Sequence, residues 1–329
     1  MTSTTTTLAW RNIWRHPRRT LLTIGAMVFA DMLLIFMLGL QFGQYRMMID
    51  NSLRAFTGQM QIQAAGYKDE PSMHRSIPDA DVLARTIRDA TQMDAVSVRG
   101  YGFALVSSEQ RTIGAQITGV DPHHEQYVST IPGLIKQGRY LGSSTANELV
   151  VGSTLARNLK ITTGDELTLL GSGKDGSIAA TVAPVTGIFE SGNRDLDRQM
   201  LSMPIDTFRD VFSMHGDAHS IVIGGSRDNA DQITAAAGEA IRDAEGLVLL
   251  GWEELLPGLK QAIQADFTSA WFMYAVLIVL VAFSMLNTML MSVLERTHEF
   301  GILLALGVRH GKLGRMIITE STVLALTGM

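Results

Sequence analysis

The sequence predicts an α+β domain carried between transmembrane helices. Two long apolar runs lie near the ends of the chain, and the residues between them alternate between strand and helix periodicity, with turn residues at the changes.

A helix rising about 1.5 Å per residue needs roughly 20 apolar residues to cross the hydrocarbon core. Ala270 to Leu294 meets this with 25 residues and no charged side chain, and Leu21 to Leu40 is a second run interrupted by one acid, Asp31. A cleaved signal peptide is the alternative for the first run, but signal cores are about 7–15 residues and no A-x-A site follows. The first span therefore reads as an anchor.

Charge orients the chain. Arg11, Arg15, Arg18 and Arg19 precede the first span with no acid among the first 20 residues, and Arg296, Arg309, Lys312 and Arg315 follow the second. Basic flanks stay cytoplasmic, so the N-terminus is expected inside and the large middle segment outside. Gln41 to Ser269 holds 19 basic and 28 acidic residues, a balance of −9 that argues against nucleic acid as a partner. The absence of cysteine excludes a disulfide framework.

The expected organisation is a cytoplasmic amphipathic helix at 1–20, spans at 21–40 and 270–294 around an extracytoplasmic domain at 41–269, a cytoplasmic segment at 295–315, and a third span beginning at 316–329. Trp10, Ile13 and Trp14 share one helical face and Arg11, Arg15 and Arg18 another, the pattern of a helix lying among membrane lipid headgroups.

Within the middle segment, Met60 to Ala64 alternates as a strand. Asp79 to Gln92 carries Val82, Leu83 and Ile87 at helical spacing, and Ala95 to Val106 and Thr112 to Val120 return to strand. This is a first lobe ordered strand, helix, strand, strand. A second series follows: strand Leu149 to Val151, a helix Ser153 to Leu159 capped by Ser153, strand Glu166 to Leu170 after a Gly164-Asp165 turn, and strand Ile178 to Phe189. Asp206 is placed to cap a helix through Phe212. Ser220 to Ile223 reads as strand, Asp228 to Asp243 as helix and Leu247 to Leu250 as strand, after which helix resumes near Glu253 and is expected to run into the second span. Asn193 to Arg198, NRDLDR, is a charged surface stretch that could contact a partner, with a solvated loop as the plainer reading.

Catalytic and metal signatures are weak. Gly171-Ser172-Gly173-Lys174 imitates the tail of a phosphate loop, but Thr168 occupies the first glycine's place and Asp175 that of the magnesium-binding hydroxyl, so a hairpin turn is expected. His123-His124 and His215/His219 lack supporting cysteines and read as surface histidines, and the 18 methionines read as packing residues. Ser153 lacks the full G-x-S-x-G elbow. No catalytic residue, metal ligand or bound cofactor is expected. Asp31, an acid in mid-span, is the candidate intramembrane functional residue, with a neutral acid bonded to a neighbouring helix as the plainer alternative.

The segment after the second span is the most specific. Glu295 and Glu299 stand at helical i, i+4 spacing, Gly301 and Gly307 permit close approach or unusual backbone angles, and Ile302, Leu303 and Leu306 offer apolar surface. An amphipathic connector is the alternative from charge and periodicity alone. The run Glu295, Arg296, Glu299, Phe300, Gly301, Ile302, Ala305, Gly307 resembles the E-R-x-x-E-[IF]-G-I-x-x-A-x-G pattern of FtsX/MacB-type permease subunits of ABC transporters, among them the lipoprotein-releasing LolC/LolE-like permeases. Trp10-Arg11-Asn12, Pro17 to Thr20, Glu148 to Gly152 and Val185 to Phe189 with Ser191-Gly192 add weaker matches.

The resemblance implies a two-lobed MacB-like periplasmic core domain on four spans in a bacterial inner membrane, assembled as a homodimer or with a related permease. It implies separate ATPase subunits that bind ATP and Mg, with Glu295 to Gly307, Leu306 included, as the coupling segment. Lipoproteins, a periplasmic carrier and membrane lipid are the implied contacts. A noncatalytic regulator of an extracellular hydrolase is the second reading, and a plain membrane-anchored binding module the third. Two departures stand out: Leu304 replaces a residue that is polar or basic in many relatives, and the chain ends 14 residues into the third span, as a fragment would.

Overall fold

In a computed structural model, residues 17–225, 229–242 and 244–328 are described. Trp10 to Arg15, and the expected helix ends Asp228 and Asp243, lie outside the described residues. The chain divides into two compact units, one of residues 48–260 and one of 17–47 with 261–328.

Helix α1, Pro17–Ser52, ends in a π-helical turn, Leu53–Thr57, and Gly58 in the left-handed region (φ 72°). The first lobe follows as strand β1 Met60–Ala64, helix α2 Ala80–Thr91, strands β2 Val96–Ser107 and β3 Thr112–Val120, and helix α3 Pro122–Val128. Alternation in β1 sends Ile62 into a core and Gln61 and Gln63 to the other face. Helix α2 buries Ala80, Ala84, Ile87 and Thr91, one stripe at turn spacing. Asp121 caps α3 by accepting from the His123 N–H at 3.0 Å, and Pro122 opens the helix, where its missing N–H costs nothing.

After a short 3₁₀ turn come β4 Ile135–Gly138, β5 Leu149–Gly152, α4 Ser153–Leu159, β6 Glu166–Ser172, β7 Ile178–Phe189, α5 Arg194–Gln199, β8 Met200–Pro204, α6 Ile205–Val211, β9 Ser220–Ile223, α7 Ala230–Ala240, β10 Leu247–Gly251 and α8 Trp252–Leu255. The strands form one hydrogen-bonded sheet ordered β10-β1-β9-β2-β3-β8-β5-β7-β4, with β6 bridging β2 and β7. The β3/β8 and β5/β7 pairs are parallel and the others antiparallel. Gly173 to Ser177 closes the β6–β7 hairpin, as expected for the stretch that imitates a phosphate loop.

Two main cores lie on this sheet. One gathers Ile62, Ile87, Val96, Val98, Ile221 and Ile233; the other gathers Ala104, Val106, Leu155, Leu167, Leu169 and Phe208. A smaller third cluster surrounds Phe189 and Val150. Strand β2 supplies residues to both main cores.

Several sequence expectations are corrected. Ser153 is the first helical residue of α4 rather than its cap, because Gly152 holds the extended cap conformation. Pro204 likewise precedes α6, and the Asp206 carboxylate accepts from Arg209 Nη1 (3.2 Å) instead of capping. NRDLDR is no solvated loop: Asn193 caps α5, and Asp197 is buried, accepting from the Ser191 N–H (2.9 Å) and Oγ (2.6 Å). His219 is fully buried, its Nδ1 accepting from the Tyr101 N–H at 2.9 Å. The helix expected from near Glu253 into the second span forms with one interruption: α8 stops at Leu255, Leu256 is non-helical, and α9 spans Pro257–Glu295, about 58 Å.

Candidate functional site

Helix α9 ends at Glu295, and Arg296 (φ −102°, ψ 10°) breaks it before helix α10, Thr297–Ala305. Glu295 and Glu299 therefore do not share one continuous helix, a correction to their expected i, i+4 relation. Arg296 organises the corner instead: Nε lies 3.3 Å from Glu299 Oε2, and Cζ stands 5.3 Å from the centroid of the Phe300 ring. Phe300 is buried against the chain.

The opposite face is open. Gly301, Ile302, Ala305 and Leu306 are exposed, Ile302 at 51% and Leu306 at 77%, and their i, i+1, i+4, i+5 spacing forms an apolar strip along α10. The two glycines differ. Gly307 holds φ 87°, and its N–H donates to Leu304 O (3.0 Å) while the Val308 N–H reaches Leu303 O (3.1 Å), a Schellman closure that suits glycine. A Cβ on Gly301 would meet nothing within 4 Å, so nothing among the described residues requires glycine there. Helix α11, His310–Gly328, follows.

Asp31 lies within α1, partly exposed, and makes no hydrogen bond or ion pair with a described residue. It stands apart in sequence and in element from α10. Thr20–Thr57 and Pro257–Phe283 are, among the described residues, the two helical stretches long and apolar enough to cross a membrane. In the unit formed by 17–47 and 261–328, a polar clasp joins α1 to α9. Tyr45 Oη donates to Asp266 Oδ2 (2.5 Å), Gln41 Nε2 to Tyr45 Oη (2.6 Å), and Tyr274 Oη to Gln41 Oε1 (2.6 Å). The i, i+4 spacing of Gln41 and Tyr45 was the only signal for it in the sequence.

A second anchor, also unforeseen, holds the turn Leu53–Thr57. The fully buried Arg99 donates through Nη2 and Nε to Glu125 (2.6 and 3.2 Å), through Nη1 to the Phe56 carbonyl (2.5 Å), and stacks on the Phe56 ring with Cζ 4.0 Å from its centroid. Burial opposes its charge, but Glu125 outweighs that and holds the guanidinium pKa above its ordinary value. Ser129 Oγ donates to Ala55 O (3.1 Å), the Thr130 N–H to Arg54 O (3.0 Å), and Gln61 Nε2 to Thr57 O (2.6 Å). Carbonyls that a π turn would leave unmatched are thus taken by the sheet and its loops. Among the described residues no group of three or more His, Cys, Asp or Glu is placed to hold a metal. His124 is engaged by Asp121, with Nδ1 2.6 Å from Oδ2.

Residues 20–244 match the family model of the MacB-like periplasmic core domain, and 271–329 match the FtsX-like permease C-terminal model. The lipoprotein-releasing system transmembrane protein LolC of Xylella fastidiosa (strain Temecula1) is 22% identical over 232 residues, covering 68% of this chain. The chain spans about half, 55%, of that relative's length. An uncharacterized ABC transporter permease of Methanocaldococcus jannaschii is 22% identical over 336 residues, covering 98% of this chain and 80% of the relative. Among solved structures, the periplasmic region of MacB from Actinobacillus actinomycetemcomitans aligns with a TM-score of 0.46 at 16% identity, covering 64% of this chain and 94% of that one. The extracellular domain of the noncanonic ABC-type transporter YknZ from Gram-positive bacteria aligns with a TM-score of 0.44 at 11% identity, covering 59% and 100%. With both family models matched in order along the sequence, the chain belongs to the FtsX/MacB-type ABC permeases, a MacB-like periplasmic core domain preceding an FtsX-like permease region.

Proposed function

We propose that the chain is the noncatalytic permease subunit of an ABC exporter. In this reading α1 and α9 cross a bacterial inner membrane, the N-terminus is cytoplasmic, and the unit 48–260 lies outside. The observation that carries it is the strip Gly301, Ile302, Ala305 and Leu306, left exposed on a short helix whose polar corner is already satisfied by Arg296 and Glu299. An unpartnered apolar strip on an α-helix fits a groove on another protein. The partner is a separate ATPase subunit that binds ATP and Mg, and the open space at Gly301 lets its surface approach the helix backbone.

ATP-driven closure of two such subunits would move α10 and with it α9, within an assembly of two permeases, and rearrange the outer unit to expel cargo. Similarity to LolC favours release of a lipoprotein from membrane lipid to a periplasmic carrier.

The test is co-expression in detergent-stable form with the ATPase subunit and measurement of ATP turnover, comparing wild type with Ile302→Asp and Glu299→Arg. Both substitutions are expected to release the ATPase while the permease stays monodisperse. An ATPase retained by both variants, or none bound by wild type, overturns the reading.

A further inference from the structure

The unit 48–260 opens a cleft of about 960 Å³ beside the polar face of β1. On its floor Gln63 Nε2 donates to Gln61 Oε1 (2.7 Å) and Gln61 Nε2 in turn to the Thr57 carbonyl, while the buried Gln63 Oε1 has no hydrogen-bond partner among the described residues. The walls are aromatic, with Phe56, Tyr67, Tyr101 and Phe103 all lining the space. Lys68 and Arg198 also line it, no carboxylate among the described residues does, and neither cation's side chain bonds or pairs with a described residue. Glu70, close by in sequence, is engaged by Arg75 at 2.6 Å. In a stretch with nine more acids than bases, this cleft reverses the local sign.

An apolar surface continues from it. The Phe103 ring, 68% exposed, lies across Gly114, where a Cβ would stand 2.7 Å from ring Cζ. Two residues along the same face is Leu105, directly opposite Leu170 on β6, which in turn faces Ala180 on β7. Leu105, Leu170, Val182 and Ile178 are all exposed. A solvated sheet face ordinarily alternates polar residues outward, so a row of outward aliphatic groups marks a contact surface.

We propose that this unit binds an anionic amphiphile, a long acyl chain bearing a carboxylate or phosphate. The acidic group pairs with Lys68 and Arg198, and the chain runs past Tyr101 and Phe103 toward Leu105 and Leu170. Uncompensated cations joined to an apolar track suit this ligand, since an uncharged chain leaves the cations unused and a cationic one is repelled. The inference takes its biological meaning from the proposed export function, but the binding is read without any ATPase, so the two stand or fall separately.

Because the chain has no cysteine, Gln116→Cys on the cleft lining carries a single environment-sensitive fluorophore. The full chain in phosphatidylcholine nanodiscs is titrated, below micelle formation, with oleate, oleoyl lysophosphatidate and an 18-carbon trimethylammonium amphiphile. Saturable blue shifts are expected with one or both anionic probes, at least tenfold weaker with the cationic one; the stronger anionic probe identifies free fatty acid or phospholipid as the source. Lys68→Glu with Arg198→Glu abolishes the anionic preference, while Phe103→Ser weakens binding several-fold whatever the head group. Unchanged circular dichroism establishes folding for each variant. Equal binding of both charges, an unchanged preference after charge reversal, or only concentration-dependent self-association overturns the proposal.

Discussion

Gly100 and Gly119 face each other in register across β2 and β3, and the ring of Phe208 occupies the space a side chain on either would need. A Cβ on Gly100 would stand 2.3 Å from Phe208 Cε1, and one on Gly119 2.5 Å from Phe208 Cγ. The slot also sets Phe208 against Phe212 with centroids 4.5 Å apart. Gly100→Ala is expected to cost about 1–3 kcal/mol by overpacking, and Phe208→Leu to relieve most of that. Denaturant unfolding of the four proteins of the double-mutant cycle measures the coupling; equal costs in both backgrounds would exclude the slot.

Arg99 and Glu125 are a buried ion pair, so removing one charge strands the other. Glu125→Gln should destabilise by about 3–5 kcal/mol, lowering the melting temperature by roughly 6–20 °C. Arg242→Met, which breaks an exposed pair with Glu239, should stay within about 0.5 kcal/mol. A comparable loss in both variants would contradict the burial argument.

His219 gives the unit 48–260 an acid sensitivity. Burial pulls its pKa down from 6.5 to about 4, with Lys174 acting in the same direction and the Met73 carbonyl and Asp217 opposing. Between those values the unfolded chain binds a proton that the folded chain does not, so stability falls as pH drops from about 6.5 toward 4, by about 3 kcal/mol in all. His219→Gln should remove up to about 1.4 kcal/mol per pH unit from the slope, read by denaturant titration across the window.

If α10 docks an ATPase as proposed, Gly301 and Gly307 should separate stability from partner binding. Gly307→Ala forces a side chain into the left-handed region and should cost about 1–2 kcal/mol. Gly301→Ala fills open space in a helix interior and should stabilise the isolated chain by up to about 1 kcal/mol while weakening ATPase association. Thermal melts and pull-down of the ATPase separate the two effects; a destabilising Gly301→Ala would contradict the open face.

Much of the unit 48–260 was legible because its strands are simple. Met60–Ala64 and Ile178–Phe189 alternate over enough residues to fix both type and extent, and the stripe in Ala80–Thr91 is clean. Short β4 and β8 were not, since Met200–Pro204 is buried on both faces and has no period to read. Caps failed at Ser153 and Asp206, the first and second helical residues of their helices, because a polar residue in the first turn looks like a cap until the backbone before it is known. Apolar and glycine residues of Phe300 to Gly307 could be named in advance, whereas which of them face outward depends on the break at Arg296. Arg99 offered no signal, because its partners Phe56 and Glu125 lie 43 and 26 residues away. The cleft likewise draws its walls from separated stretches of chain.

Strand β2 sends Val96 and Val98 into one core and Ala104 and Val106 into the other. A strand paired along its length does not come apart in halves, so the loss of either core frays the support of its neighbour. Two packing centres therefore behave as one cooperative block: the unit 48–260 should show a single calorimetric transition whose van't Hoff and calorimetric enthalpies agree, and a proteolytic nick that opens one lobe should surrender both.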